Sequence, residues 1–131
     1  VNHPILCDTS KLVGRVLMSL IFIRAGWNKI GGYEMTEDFM VSMGIPGFIL
    51  PLVIVVELVG GLAVLLGIFT RISAFILFLF CLASAFLIHL APGDAAEMTN
   101  FMKNITIAGG FLILTCAGAG RFSLDHWIRG K

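Results

Sequence analysis

Charge is scarce in this chain. Only 13% of its 131 residues are Asp, Glu, Lys or Arg, against about 25% in a typical soluble domain. With 58% hydrophobic residues and a mean hydropathy of +0.98, there is too little polar side chain to coat a water-facing surface. Much of that surface must face lipid. Net charge is +1, so the basic stripe of a nucleic-acid binder is missing and no nucleic-acid partner is expected. Cysteine is also scarce. Cys7, Cys81 and Cys116 form no CxxC and no metal-ligand spacing, which argues against a disulfide scaffold, a redox dithiol and a metal site. There is no phosphate-cradling glycine loop and no internal repeat.

What the chain does have is long apolar runs. A helix needs about 20 residues to cross the hydrocarbon core. Segments 12–30, 48–68, 72–91 and 101–119 meet that length. The second and third are joined by only Phe69, Thr70 and Arg71, a tight helical hairpin. The first run carries internal charges and lacks the small-residue exit of a secretory signal. Basic residues set the orientation. Lys11, Arg15, Arg71, Arg121, Arg129 and Lys131 all fall on one side of the spans. The opposite loops, 31–47 and 92–100, hold no Lys or Arg and carry Glu34, Glu37, Asp38, Asp94 and Glu97 instead. The reading is one domain over 1–131: all-α, an integral membrane four-helix bundle with both termini cytoplasmic.

The outer loop has its own pattern. Thr36 is expected to cap a short helix over 36–43, with Glu37 and Asp38 in its first turn. Phe39, Met40 and Met43 give it an apolar side, and Gly44 and Pro46 stop it. After the fourth span, Phe122, Leu124, Trp127 and Ile128 alternate with Arg121, Asp125 and Arg129, as in an interfacial anchor.

Ionisable groups inside the apolar runs are expensive in hydrocarbon, and each needs a partner, water or a function. Arg15, Ser19, Phe22, Gly26 and Lys29 follow at steps of four, three, four and three, so they share one helical stripe. Arg24 lies off it. Glu57 is the only charge in its run and shares a face with Gly60 and Gly61; adjacent glycines let another helix approach closely. At 1.5 Å rise per residue Glu57 lies about 13 Å below the outer end of its span and Arg24 about 9 Å. Lys29, His89 and Lys103 lie near the outer surface. An ion pair from Glu57 to Lys29 or Arg24 is therefore expected.

In order along the chain stand Arg15, then Gly26-Trp-Asn-Lys29, Gly44-Ile-Pro46, Glu57-Leu-Val-Gly60-Gly61, Gly67-Ile-Phe-Thr70-Arg71, Lys103-Asn104 and Gly118-Ala-Gly120. This ordered set resembles the DoxX family, in its small bacterial inner-membrane branch. The resemblance covers nearly the whole chain and implies a four-helix membrane bundle in the bacterial inner membrane. Founding relatives are linked to thiosulfate:quinone oxidoreductase, and others to membrane redox and thiol-stress complexes. Arg24 is not part of the family pattern. Distantly similar four-helix proteins use paired cysteines, which this chain does not have.

The ligand-binding or proton-handling candidates are Glu57, Lys29, His89, Arg24, Lys103 and Asn104. Arg15, Gly26, Gly60, Gly61 and Arg71 are assigned to packing. Each candidate also has a plainer reading. Glu57 can be a strut that fixes helix register, Lys29 and Arg15 can snorkel to the interface, and His89 can be an interfacial polar residue. Haem would need a second intramembrane His, whereas His3 and His126 lie in the tails. Cys81 and Cys116 are expected to pack as small apolar residues. The phenylalanines of the third span, Phe75, Phe78, Phe80 and Phe86, are read as packing and lipid-facing groups. Three functions stay open. One is a quinone-linked membrane redox protein with no intrinsic cofactor and a bound quinone or lipid. The second is a non-catalytic subunit of a larger membrane complex. The third is a small transporter or channel formed by a homo-oligomer. No complete catalytic set is present, so the chain alone is not expected to be an enzyme.

Overall fold

The computed structural model describes residues 4–129, which are helical throughout their regular structure and contain no strand. The expectations placed on His3 and Lys131 lie outside them. The helices are α1 (Pro4–Gly31), α2 (Tyr33–Ser42), α3 (Leu50–Leu66), α4 (Thr70–Ser84), α5 (Ala95–Ala117) and α6 (Leu124–Arg129). A 3-10 turn at Gly47–Ile49 leads into α3, and a π turn at Ala85–His89 prolongs α4. Among the described residues, three segments are long and apolar enough to cross a membrane: Gly47–Leu66, Thr70–His89 and Ala95–Ala117. At 28 residues α1 has the length, but its charges, Asp8, Lys11, Arg15, Arg24 and Lys29, keep it out of that set.

Several boundaries differ from the expected ones, each for a local reason. Helix α1 starts at Pro4 rather than 12, because Asp8 and Lys11 dock its first turns on the end of the chain. Helix α2 starts at Tyr33. Thr36 does not cap it; its hydroxyl donates to Gly32 O at 2.9 Å, inside the first turn. Gly44, at φ +81°, ends it as expected. The hairpin link is Gly67 to Phe69, not Phe69 to Arg71, because Gly67 takes the left-handed C-terminal conformation at φ 74°. Helix α5 starts at Ala95 rather than 101 because the Asp94 carboxylate accepts from the N–H groups of Ala96 at 3.0 Å and Glu97 at 3.2 Å.

Small residues set the packing. Helix α1 packs on α3, α3 on α4 and α4 on α5. A Cβ on Gly26 would sit 2.7 Å from Leu58 Cγ and 3.2 Å from the Leu58 backbone nitrogen. One on Gly61 would sit 3.3 Å from the Ile23 backbone nitrogen. These two glycines therefore bring α1 and α3 together. Gly60 faces the other way, toward Leu77 of α4. The buried groups of α4, its π turn and α5 include the small Ala74, Cys81, Ala85 and Ala108 beside the larger Leu77, Phe111 and Leu114. Phe22 and Phe111 meet edge to face at 5.4 Å across the centre. The outward surface is apolar, with Leu17, Val59, Ile72 and Ile113 all at least 60% exposed. A surface of this kind suits lipid and not water.

The expected stripe on α1 is its buried face. Arg15, Ser19 and Phe22 are buried and Gly26 packs against α3, while Arg24 is exposed. Arg15 is 1% exposed, and its Nη2 donates to Phe122 O. Its neighbours form a knot at the basic end. The N–H of Asp125 donates to Gly67 O at 2.7 Å, and its carboxylate accepts from the N–H groups of Phe69 at 2.8 Å and Thr70 at 2.9 Å. A residue of α6 thus caps the N-terminus of α4. Phe69 itself has a left-handed φ of 45° and its side chain offers no cap. In return, Arg71 of α4 donates to Cys116 O at 2.5 Å, satisfying the last turn of α5. Burial opposes the charge on Asp125, but the hydrogen bonds from Thr70 and Phe69, with Arg129 nearby, outweigh it and hold the carboxyl below its usual value.

Two predictions test this packing. Gly26→Ala should destabilise by about 1–3 kcal/mol through overpacking. Gly14→Ala, where a Cβ meets nothing within 4 Å, should be neutral or stabilising by up to about 1 kcal/mol. Thermal melting in detergent checks the contrast, and equal effects would refute the close α1/α3 approach. Asp125→Asn should cost about 1–2 kcal/mol, because an amide accepts only one of the two N–H groups and turns its NH2 on the other. The folded pKa of Asp125 lies below its unfolded value of about 4. Its carboxylate therefore stabilises the fold above that value, and the contribution is lost as pH falls through the folded pKa. Wild-type and Asp125→Asn melting curves should converge below about pH 4.

Candidate functional site

At the end opposite Arg15, five elements surround a cavity of about 530 Å³. Helix α1 contributes Phe22 and Lys29, α2 contributes Thr36 and Met40, and α3 contributes Val56 and Glu57. Helix α4 and its π turn add Phe80, Ser84 and His89, and α5 adds Asn104 and Ile107. The lining is mainly apolar, and a few polar groups converge on it, the pattern of a small-molecule site.

The polar groups form two pairs. Lys29 Nζ lies 2.7 Å from Glu57 Oε1, which selects Lys29 over Arg24 as the partner. The Glu57 side chain is 5% exposed and that of Lys29 28%, so the pair runs from the interior toward the rim. The stripe position of Lys29, one turn beyond Gly26, puts its ammonium where α1 and α3 come closest. The second pair is His89 Nδ1 and Glu97 Oε2, 2.8 Å apart. Glu97 Oε1 accepts from Asn100 Nδ2 at 3.3 Å, and Asn104 Nδ2 donates to Asn100 O at 3.2 Å. With Nδ1 committed to Glu97, Nε2 is the ring nitrogen of His89 left for a ligand. The π turn, a local widening of the helix that often accompanies functional sites, carries His89 at its end.

Four of the six candidates therefore share one cavity: Glu57, Lys29, His89 and Asn104. Arg24 and Lys103 are exposed and do not line it. Among the described residues, no cluster of three or more His, Cys, Asp and Glu is placed to hold a metal.

A model of the DoxX family matches residues 10–90. The chain belongs to the DoxX family. Inner membrane protein YqjF of Escherichia coli (strain K12) is 48% identical to it, over 95% of each chain. Inner membrane protein YphA of the same organism is 38% identical, over 88% of this chain and 87% of its own. The Bacillus subtilis (strain 168) protein named "Putative oxidoreductase CatD" is 37% identical, over 95% of this chain and 91% of its own. No solved structure matches. With two inner-membrane relatives and three membrane-length apolar helices, this DoxX protein is a multi-pass inner-membrane protein.

Sequence reasoning missed other residues of this DoxX site. By sequence Glu97 belongs to a polar loop, and only the early start of α5 places it opposite His89. Its spacing from His89, eight residues across a turn, gives no helical or metal-ligand signal. Phe80 lines the cavity and meets Phe22 edge to face at 6.3 Å, so it is not only packing. Thr36 and Met40 line the cavity because α2 lies over this end of the bundle. Cys81 is buried as expected, whereas Cys116 is exposed, because it falls on the outward face of α5.

Glu57→Gln should lower stability by about 1–3 kcal/mol by leaving the Lys29 charge half-buried and unpaired. Replacing both partners, as Lys29→Met with Glu57→Leu, should recover most of that loss. Detergent melting of the two variants checks it, and unchanged melting of Glu57→Gln would show that the pair does not hold α1 on α3.

Proposed function

We propose that this protein is a four-helix membrane bundle of α1, α3, α4 and α5, with both termini cytoplasmic. In this reading its outer-half cavity binds the headgroup of a quinone in a redox-linked membrane system. The orientation is supported by the loops 31–47 and 92–100, which hold no Lys or Arg, while Lys11, Arg15, Arg71, Arg121 and Arg129 gather at the other end. The observation that carries the functional reading is the cavity itself: about 530 Å³, mainly apolar, with Lys29, Glu57, His89 and Asn104 converging in it.

The residues fit such a ligand. A quinone ring is flat and apolar with two carbonyl acceptors, and when bound it accepts electrons and protons. Lys29 Nζ, Asn104 Nδ2 and, on a protonated ring, His89 Nε2 are donors for those carbonyls. Phe22, Phe80 and Ile107 suit the ring faces. Both donors with titratable protons sit against carboxylates, Lys29 on Glu57 and His89 on Glu97. The carboxylate beside each donor lies within hydrogen-bond distance and fixes the direction of its side chain. The name of the Bacillus relative as an oxidoreductase agrees with a redox role. Electrons would come from a partner subunit, and the chain alone is not an enzyme in this reading.

The test is mass spectrometry of the gently solubilised native protein with lipid extraction. Stoichiometric quinone is expected. Lys29→Met with Glu57→Leu should keep the fold and lose the quinone, because it removes the polar pair without unpairing a charge. Co-purified subunits with no quinone would overturn this reading in favour of an accessory subunit.

A further inference from the structure

A second cavity, a polar cleft of about 480 Å³, opens at the basic end and takes no part in the site above. Its walls come from α1, the N-terminus of α4, the loop 118–120 and α6. Lys11, Arg71, Arg121 and Arg129 line it with Asp8 and Asp125, four cations against two carboxylates.

Both carboxylates are already occupied. Asp125 accepts from Phe69 and Thr70. Asp8 accepts from the Arg121 N–H at 3.1 Å and faces Arg121 Nε at 3.4 Å. The cations are less committed. Arg71 spends Nη1 on the end of α5. Lys11 reaches only Ala117 O, at 3.5 Å. Arg129 acts on Asp125 through its charge and lies along the exposed side of the cleft. The floor of the cleft is kept open by glycine. A Cβ at Gly118 would lie 3.0 Å from Arg71 Nη2, and one at Gly120 would lie 3.0 Å from Lys11 Cδ. Beside the cleft, Phe122, Trp127 and Ile128 expose apolar surface. Such side chains next to basic ones seat a short helix at the headgroup boundary.

We propose that this cleft binds the phosphate of an anionic phospholipid headgroup, with Lys11 and Arg129 as the recognising cations and Arg71 as a third donor. A free phosphate offers the same oxygens. The apolar rim favours the lipid, and the net positive lining favours an anionic headgroup over one that carries its own cation. Basic pockets between membrane helices on the cytoplasmic side suit this chemistry. The proposal rests on the membrane orientation argued above and is independent of the quinone.

Native mass spectrometry in a neutral detergent tests it, with phosphatidylglycerol and phosphatidylcholine of matched acyl chains titrated into the full chain. The wild type should retain phosphatidylglycerol in preference. Lys11→Gln with Arg129→Gln should weaken that retention about fivefold per residue, roughly twenty- to thirtyfold together. Lys11→Arg with Arg129→Lys should preserve it. Equal retention of the two lipids by the wild type, or an unchanged preference in the Gln pair, would overturn the proposal. Inorganic phosphate raising the melting temperature of the wild type, without any lipid preference, would overturn the lipid assignment in favour of a soluble anion. Quinone, read in the same spectra, should survive the Gln pair and be lost from the Lys29 and Glu57 double variant, so the two sites fail separately.

Discussion

The Lys29–Glu57 contact constrains the rest of the structure. A carboxylate placed well below the end of an apolar helix must find a cation, water or a proton. Here it finds Lys29 at 2.7 Å, and that contact is available only if α1 and α3 approach closely in one register. Gly26 and Gly61 allow the approach, since a side chain at either position would meet the opposite backbone. The ion pair and the glycines are thus one device. The glycines set the distance between the helices, and the charges select which residues stand opposite one another. The same device places a polar edge on a cavity that is otherwise apolar.

The two ends of the molecule handle polarity differently. At the basic end, charged side chains mostly complete helix termini: Asp125 for α4, Arg71 for α5, Arg15 for the chain entering α6. Unsatisfied terminal N–H and C=O groups are costly away from water, so these side chains hold the short α6 and the hairpin in place. At the acidic end, Asp94 caps α5 in the ordinary way, but the Lys29–Glu57 and His89–Glu97 pairs serve no terminus. They border the cavity instead. Polar groups not used by the backbone are available for a ligand, which is why the functional reading rests on this end.

Much of this was legible in advance because it depends on periodicity and composition. The stripe from Arg15 to Lys29 follows from 3.6 residues per turn, and it is the buried face. Glu57 needed a partner on the same argument, and the spacing narrowed it to two residues. The hairpin link lies two residues earlier than the apolar runs suggest because the αL conformation of Gly67, and not the helix-forming quality of Thr70 and Arg71, decides where α3 stops. The start of α2 differs for a similar reason: a threonine hydroxyl can cap a helix or bond back within its first turn, and the sequence does not distinguish the two.

The sequence by itself determined the helical class, the apolar outer surface, the absence of Lys and Arg from the two loops at one end, and the need to pair Glu57. These follow from local composition and helical repeat, which act on residues near one another in the chain. The tertiary structure decided that Lys29 and not Arg24 is the partner, that Glu97 meets His89, that Asp125 caps a helix begun 55 residues earlier, and that Lys103 stays outside the cavity. These contacts join different helices. Their geometry depends on crossing distance, on the π turn before Leu90 and on the extra turns of α1 and α5, none of which is encoded in the spacing of a single segment.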